Sequence, residues 1–171
     1  FLIFLILIVL LYFGLNFFTK SNSLSLEGKY LHPIGHIDPK NAVIIDSTEI
    51  YESRHLIGFY SSAAPSIYTG CKYDFKTFIK DSFQNKGYSD NGYLNIRFYL
   101  NSQEKVFMYE VNELNLDLEP SNLDDKLVDQ LLSLSLKGKN WHAYDHEHER
   151  SNYYMYLNYR IENGAITAII P

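Results

Sequence analysis

Cysteine is nearly missing from this chain: Cys71 is the only one in 171 residues. An intramolecular disulfide is therefore excluded, and an oxidising compartment is permitted without being signalled. A lone cysteine is usually a small buried hydrophobe. The "TGCKY" setting supplies no neighbouring base that would make Cys71 a nucleophile. Basic clusters are missing too. The 15 lysines and arginines stand singly against 20 acids, for a formal net charge of -5. A nucleic-acid footprint needs clustered cations to neutralise phosphates, so nucleic acid is excluded as a partner. There is no glycine-rich phosphate loop, no internal repeat and no H-E-x-x-H zinc motif. No local pattern calls for a cofactor, and no nucleophile–base pair marks an enzyme.

What is present is globular composition, 46% hydrophobic and 20% charged, with one long apolar run at the start. "FLIFLILIVLLYFGLNFF" carries no charge before Lys20. Eighteen helical residues span about 27 Å, close to the thickness of a bilayer core. The run has no polar face, as a buried helix of a soluble domain would have. No small-x-small cleavage site follows it, and no cysteine that could carry a lipid. Residues 1–19 are expected to be a transmembrane anchor or signal segment, residues 20–64 a linker and irregular region, and residues 65–171 the folded domain, exported across the membrane. Within the irregular region "AVIID" (42–46) reads as a short first strand. His32, His36 and Asp38 lie in a Pro/Gly-broken loop that offers no regular scaffold for a metal.

From residue 65 the periodicities are clear. Phe75, Phe78, Ile79 and Phe83 recur at helical spacing, with Gly87 as the stop. "YLNIRFYL" alternates, Leu94, Ile96, Phe98 and Leu100 against Tyr93, Asn95, Arg97 and Tyr99. "NSQE" turns the chain and "KVFMYEV" returns it. A second helix carries Leu123, Leu127, Leu131 and Leu134, widened by Val128, with Ser121 and Asp124 as a cap and Lys137–Gly138 at its end. After Trp141 comes "YYMYLNYRI", then an Asn-Gly turn and "AITAIIP". The order predicts an α+β fold, a small antiparallel sheet with two helices on one face.

Two stretches are candidates for chemistry. His142, His146 and His148, with Glu147 or Glu149 as a base, have the residue types of a zinc hydrolase site. The run also sits where a polar helix-to-strand connection belongs. The second candidate is the tyrosine strand. Fourteen of the 15 tyrosines follow position 20, and tyrosine pairs a large ring with a polar tip suited to interfaces. Tyr154, Tyr156, Asn158 and Arg160 form one alternating set, expected to face a partner. At a sheet edge that strand would accept an added strand from another protein; as an internal strand it would not.

Residues 65–164 resemble the C-terminal domain of the TonB family, in its divergent Bacteroidetes type. "PSIYTGC" stands for a proline–aromatic–Gly–Gly opening, "GYLNIRFYLNSQEKVFMYEV" for the hairpin, Trp141 for a tryptophan and "YYMYLNYRI" for the last strand. Gln103 and Glu104 stand where the turn glycine is common, and His142–Ala143 where x-Pro is common. The resemblance implies an anchor in the bacterial inner membrane, a periplasmic domain, and strand capture of a segment from an envelope protein such as an outer-membrane transporter. The anchor lacks the histidine or serine that energy-transducing anchors resemble one another in carrying, and residues 19–64 hold only Pro33 and Pro39, too few for a stiff spacer. The expectation is a tethered binding module without cofactor or enzymatic role, rather than an energy transducer. The rivals are the histidine-loop hydrolase and a structural accessory subunit.

Overall fold

A computed structural model describes residues 37–49, 68–137, 140–142 and 152–170, together with the backbone of 56–58. The expected anchor, His32, His36, His146 and His148 lie outside these residues. No helix among the described residues is long and apolar enough to cross a membrane.

The order is β1 (Val43–Ile44), β2 (Leu56–Gly58), α1 (Lys72–Ser82), β3 (Gly92–Leu100), β4 (Val106–Leu114), α2 (Asp125–Ser135), β5 (Asn152–Glu162) and β6 (Ala165–Ile170). This is an α+β fold. Five strands, β1-β4-β3-β5-β6, pair antiparallel, and β2 joins β5 in parallel. Two segments expected in the linker thus belong to the sheet. They are two and three residues long, too short for periodicity to register. The strand expected of "AVIID" is present at Val43–Ile44, and Val43, Ile44 and Ile45 are all exposed, so it is a solvated edge.

Helix α1 starts where the chain bends at Gly70, whose φ is +110°. A Cβ there would sit 2.4 Å from Asp74 Oδ2, the atom that accepts the Cys71 N–H at 2.8 Å. Cys71 is the N-cap and is exposed. The expected burial of this cysteine fails because the position serves a helix terminus. The helix closes earlier than Gly87 predicts: Phe83 is already extended, its N–H donating to Ile79 O. Helix α2 is capped by Asp124, whose carboxylate accepts from Lys126 N at 2.8 Å. Ser121 is not the cap; its N–H goes instead to Glu113 O. The helix ends with Leu136 as C-cap, ahead of Lys137.

The alternation of β3 and β5 sorts side chains onto two faces. Leu94, Ile96, Phe98 and Leu100 register with Tyr159, Leu157, Met155 and Tyr153, and all eight join Phe75 and Ile79 of α1 and Leu127, Leu131 and Leu134 of α2 in one core. Both helices therefore cover the same face. Trp141, 1% exposed, closes this core within 5.5 Å, ring to ring, of Tyr68, Phe75 and Phe98. Its indole N–H donates to Ser135 O at 2.8 Å. The other face carries a smaller core of Ile37, Tyr99, Phe107 and Met108. The ladder between β3 and β4 slips by one residue at Tyr99/Leu100. This bulge brings Phe107 and Met108 beside Tyr99 together, and Tyr99 Oη accepts the Ile37 N–H at 2.9 Å.

Candidate partner-binding surface

Tyr154, Tyr156, Asn158 and Arg160 lie on one face of β5, away from the helices, as the alternation requires. They register with Tyr99, Arg97, Asn95 and Tyr93 of β3. Tyr154 is drawn into the small core against the Ile37 group. Asn158 Oδ1 accepts from Asn95 Nδ2 at 2.5 Å. Arg160 is exposed, with Nε 2.7 Å from Glu162 Oε1. Tyr156 is half-buried beside Arg97, whose guanidinium stands 3.5 Å from the buried Glu110 carboxylate. Three of the four thus form a continuous polar and aromatic face, while Tyr154 is largely structural.

Strand β5 is not a sheet edge. One flank is paired with β3 from Tyr153 to Ile161; the other is paired with β2 at Asn152–Tyr154 and with β6 at Asn158–Glu162. The Asn-Gly turn that brings β6 back has φ of 51° at Asn163 and 70° at Gly164, the pair of left-handed residues that a tight hairpin of this twist needs. The turn is also pinned from outside. Asn163 N donates to Asn91 Oδ1 and Gly164 N to Asp90 O, both at 2.9 Å. Strand β6 is therefore held on β5, and the described sheet ends at β6 on that side.

Among the described residues, no group of three or more His, Cys, Asp and Glu is placed to hold a metal ion. His142, the one histidine of the proposed triad that can be placed, has both ring nitrogens engaged. Nε2 lies 2.7 Å from Thr69 Oγ1 and Nδ1 lies 3.0 Å from Glu104 Oε1. Glu104 sits in the β3–β4 turn at φ 66°, left-handed where a glycine is common. Asn101 steadies that turn: its Oδ1 accepts from Gln103 N and Lys105 N, each at 3.0 Å. Thr69 and Glu104 were not legible as partners of His142, being 73 and 38 residues away from it. The one pointer in the sequence was Trp141, whose burial anchors the residue after it.

Comparison with protein-family models, curated proteins and solved structures finds no match for this chain.

Proposed function

We propose that this chain is a membrane-anchored envelope protein whose α+β domain, resembling the TonB C-terminal domain, binds another protein by strand addition. On this reading residues 1–19 are the anchor in the bacterial inner membrane, and the domain works in the periplasm as a tethered binding module. The order helix, hairpin, helix, buried tryptophan, strand supports the resemblance.

The observation that carries the binding mode is the outer strand, β6. Among the described residues it pairs with β5 alone, and its last residue, Ile170, is 51% exposed. A segment added there would run about 5 Å from β6 and about 10 Å from β5. Ala168 is the β6 residue opposite Arg160. Its methyl leaves the longer arginine room to lean outward across β6, while Ile170 opposite Asn158 offers an apolar contact. Backbone hydrogen bonds would supply affinity and these alternating side chains selectivity. The capture site thus moves from β5 itself to its neighbour, and Asn158 and Arg160 remain the reading residues.

The test is a photo-crosslinking residue at position 168 of the full chain in its own cells. We expect a discrete adduct with another envelope protein, lost when Arg160→Glu is added. A probe at Tyr73, on the exposed side of α1, should give no such adduct. The same adducts from both probes, or insensitivity to Arg160→Glu, would overturn strand addition at β6.

A further inference from the structure

The bonds at His142 have a direction that the residue types dictate. A carboxylate only accepts, so Glu104 holds the ring proton on Nδ1; Nε2 of the neutral ring is then a bare lone pair and accepts the Thr69 hydroxyl proton. This is the proton arrangement of a hydroxyl nucleophile, a general base and an orienting carboxylate. We propose that Thr69, His142 and Glu104 form an acyl-transfer site acting on carboxylic esters, with Thr69 Oγ1 as nucleophile. The site is separate from the β6 edge and does not depend on it.

Two features favour chemistry over a simple latch. The base is mounted on a rigid support: His142 follows Trp141, which is wedged among Tyr68, Phe75 and Phe98, and Thr69 follows Tyr68, which bridges to Trp141. Glu104 itself, a non-glycine residue, stands in the left-handed region at φ 66°, and such conformations gather at functional sites. The His142 side chain is 51% exposed and that of Glu104 41%. An ester carried on a larger molecule can reach them without threading a pocket.

The reaction balances with water alone. Thr69 Oγ1 attacks the ester carbonyl carbon as its proton passes to His142 Nε2. The tetrahedral oxyanion collapses, the C–O bond to the alcohol breaks, and the alkoxide leaves with the proton from Nε2. Water, deprotonated by Nε2, then releases the carboxylic acid and restores the threonine.

The experiment uses the full chain with Cys71→Ser throughout, so that the exposed thiol cannot react, and p-nitrophenyl acetate as the probe. Serine is itself a good helix N-cap. We expect nitrophenol release, with an acetyl group located on Thr69 by peptide mass spectrometry. His142→Ala should lower the rate by about 100-fold or more, the usual weight of a general base. Thr69→Ala should abolish the adduct while Thr69→Ser retains it. Glu104 is a positioning residue: Glu104→Gln should lower kcat while leaving KM unchanged, because the amide can still contact the ring but its flip can leave the proton on the wrong nitrogen. Acetylation confined to lysines, or a Thr69→Ala variant with an unchanged melting curve that hydrolyses at the parent rate, would overturn the proposal.

Discussion

The Tyr159 hydroxyl donates to Ser135 Oγ across 2.7 Å, joining the middle of β5 to the end of α2. The direction follows from counting protons. Ser135 has one hydroxyl proton and gives it to Leu131 O at 2.6 Å, so toward Tyr159 it accepts. The two residues are both wholly buried.

Removing either partner should therefore cost different amounts. Tyr159→Phe leaves Ser135 with its proton still donated and loses about 1 kcal/mol. Ser135→Ala leaves a buried phenol proton without an acceptor and should cost about 2 kcal/mol or more. Chemical denaturation of the two variants measures the difference. Equal losses would mean that water reaches the tyrosine.

The same tyrosine makes stability depend on alkaline pH. Burial pushes its hydroxyl above the ordinary value of 10.0. Tyr99 is raised in the same direction, also chiefly by burial. Below pH 10 both folded and unfolded chains keep these protons, and the contribution is fully present. Above it the unfolded chain releases them before the folded chain does, so stability falls, by about 1.4 kcal/mol per pH unit for Tyr159. Tyr159→Phe should flatten the alkaline limb of a melting-temperature profile; an unchanged limb would place the titration elsewhere.

Trp141 is the residue on which the larger core closes. Trp141→Ala should cost about 3–5 kcal/mol, through lost apolar burial and the cavity left among the aromatic rings. Trp141→Phe keeps part of the packing but removes the donor to Ser135 O. It should lie between the parent and the alanine variant in urea midpoint. A phenylalanine variant as stable as the parent would deny the indole bond any weight.

Two left-handed turn positions should respond in opposite ways. Gly164, at φ 70°, has no room for a side chain: an added Cβ would stand 2.0 Å from Tyr88 O, a backbone atom that cannot easily yield. Gly164→Ala should destabilise by about 2 kcal/mol or more. Leu118 has φ 65° and is 64% exposed, so a branched side chain is strained there with little burial in return. Leu118→Asn should raise stability by about 0.5–1 kcal/mol. Thermal melts of the two variants decide it.

The elements with a repeating pattern were legible in the sequence, and the ones whose place depends on topology were not. Leu94–Leu100 and the leucine stripe of α2 announce their faces because each repeats four times. Val43–Ile44 shows only as an apolar run and Leu56–Gly58 not at all, and the pairing partners of both lie far along the chain. Of the two cap residues offered by the sequence, Ser121 and Asp124, the structure uses Asp124; both residue types cap helices well, and only where the helix begins decides between them. Tyr154, Tyr156, Asn158 and Arg160 were read correctly as one face. Whether their strand formed an edge was open, because alternation fixes faces and says nothing of flanks. The site around His142 was hidden for a related reason, its three residues being brought together only when Tyr68 bridges to Trp141.

The position of β5 between β3 on one side and β2 and β6 on the other has a consequence in time. A chain emerging from the ribosome presents the β3–β4 hairpin and both helices first, with their apolar faces ready. The strand that covers half of that core is made only after residue 151. Until then the domain lacks its centre, and long-range pairings of this kind are slow to form. A nascent chain of this protein therefore stays threadable until β5 has been made. It completes its fold only once β5 and β6 have both followed the hairpin and the helices.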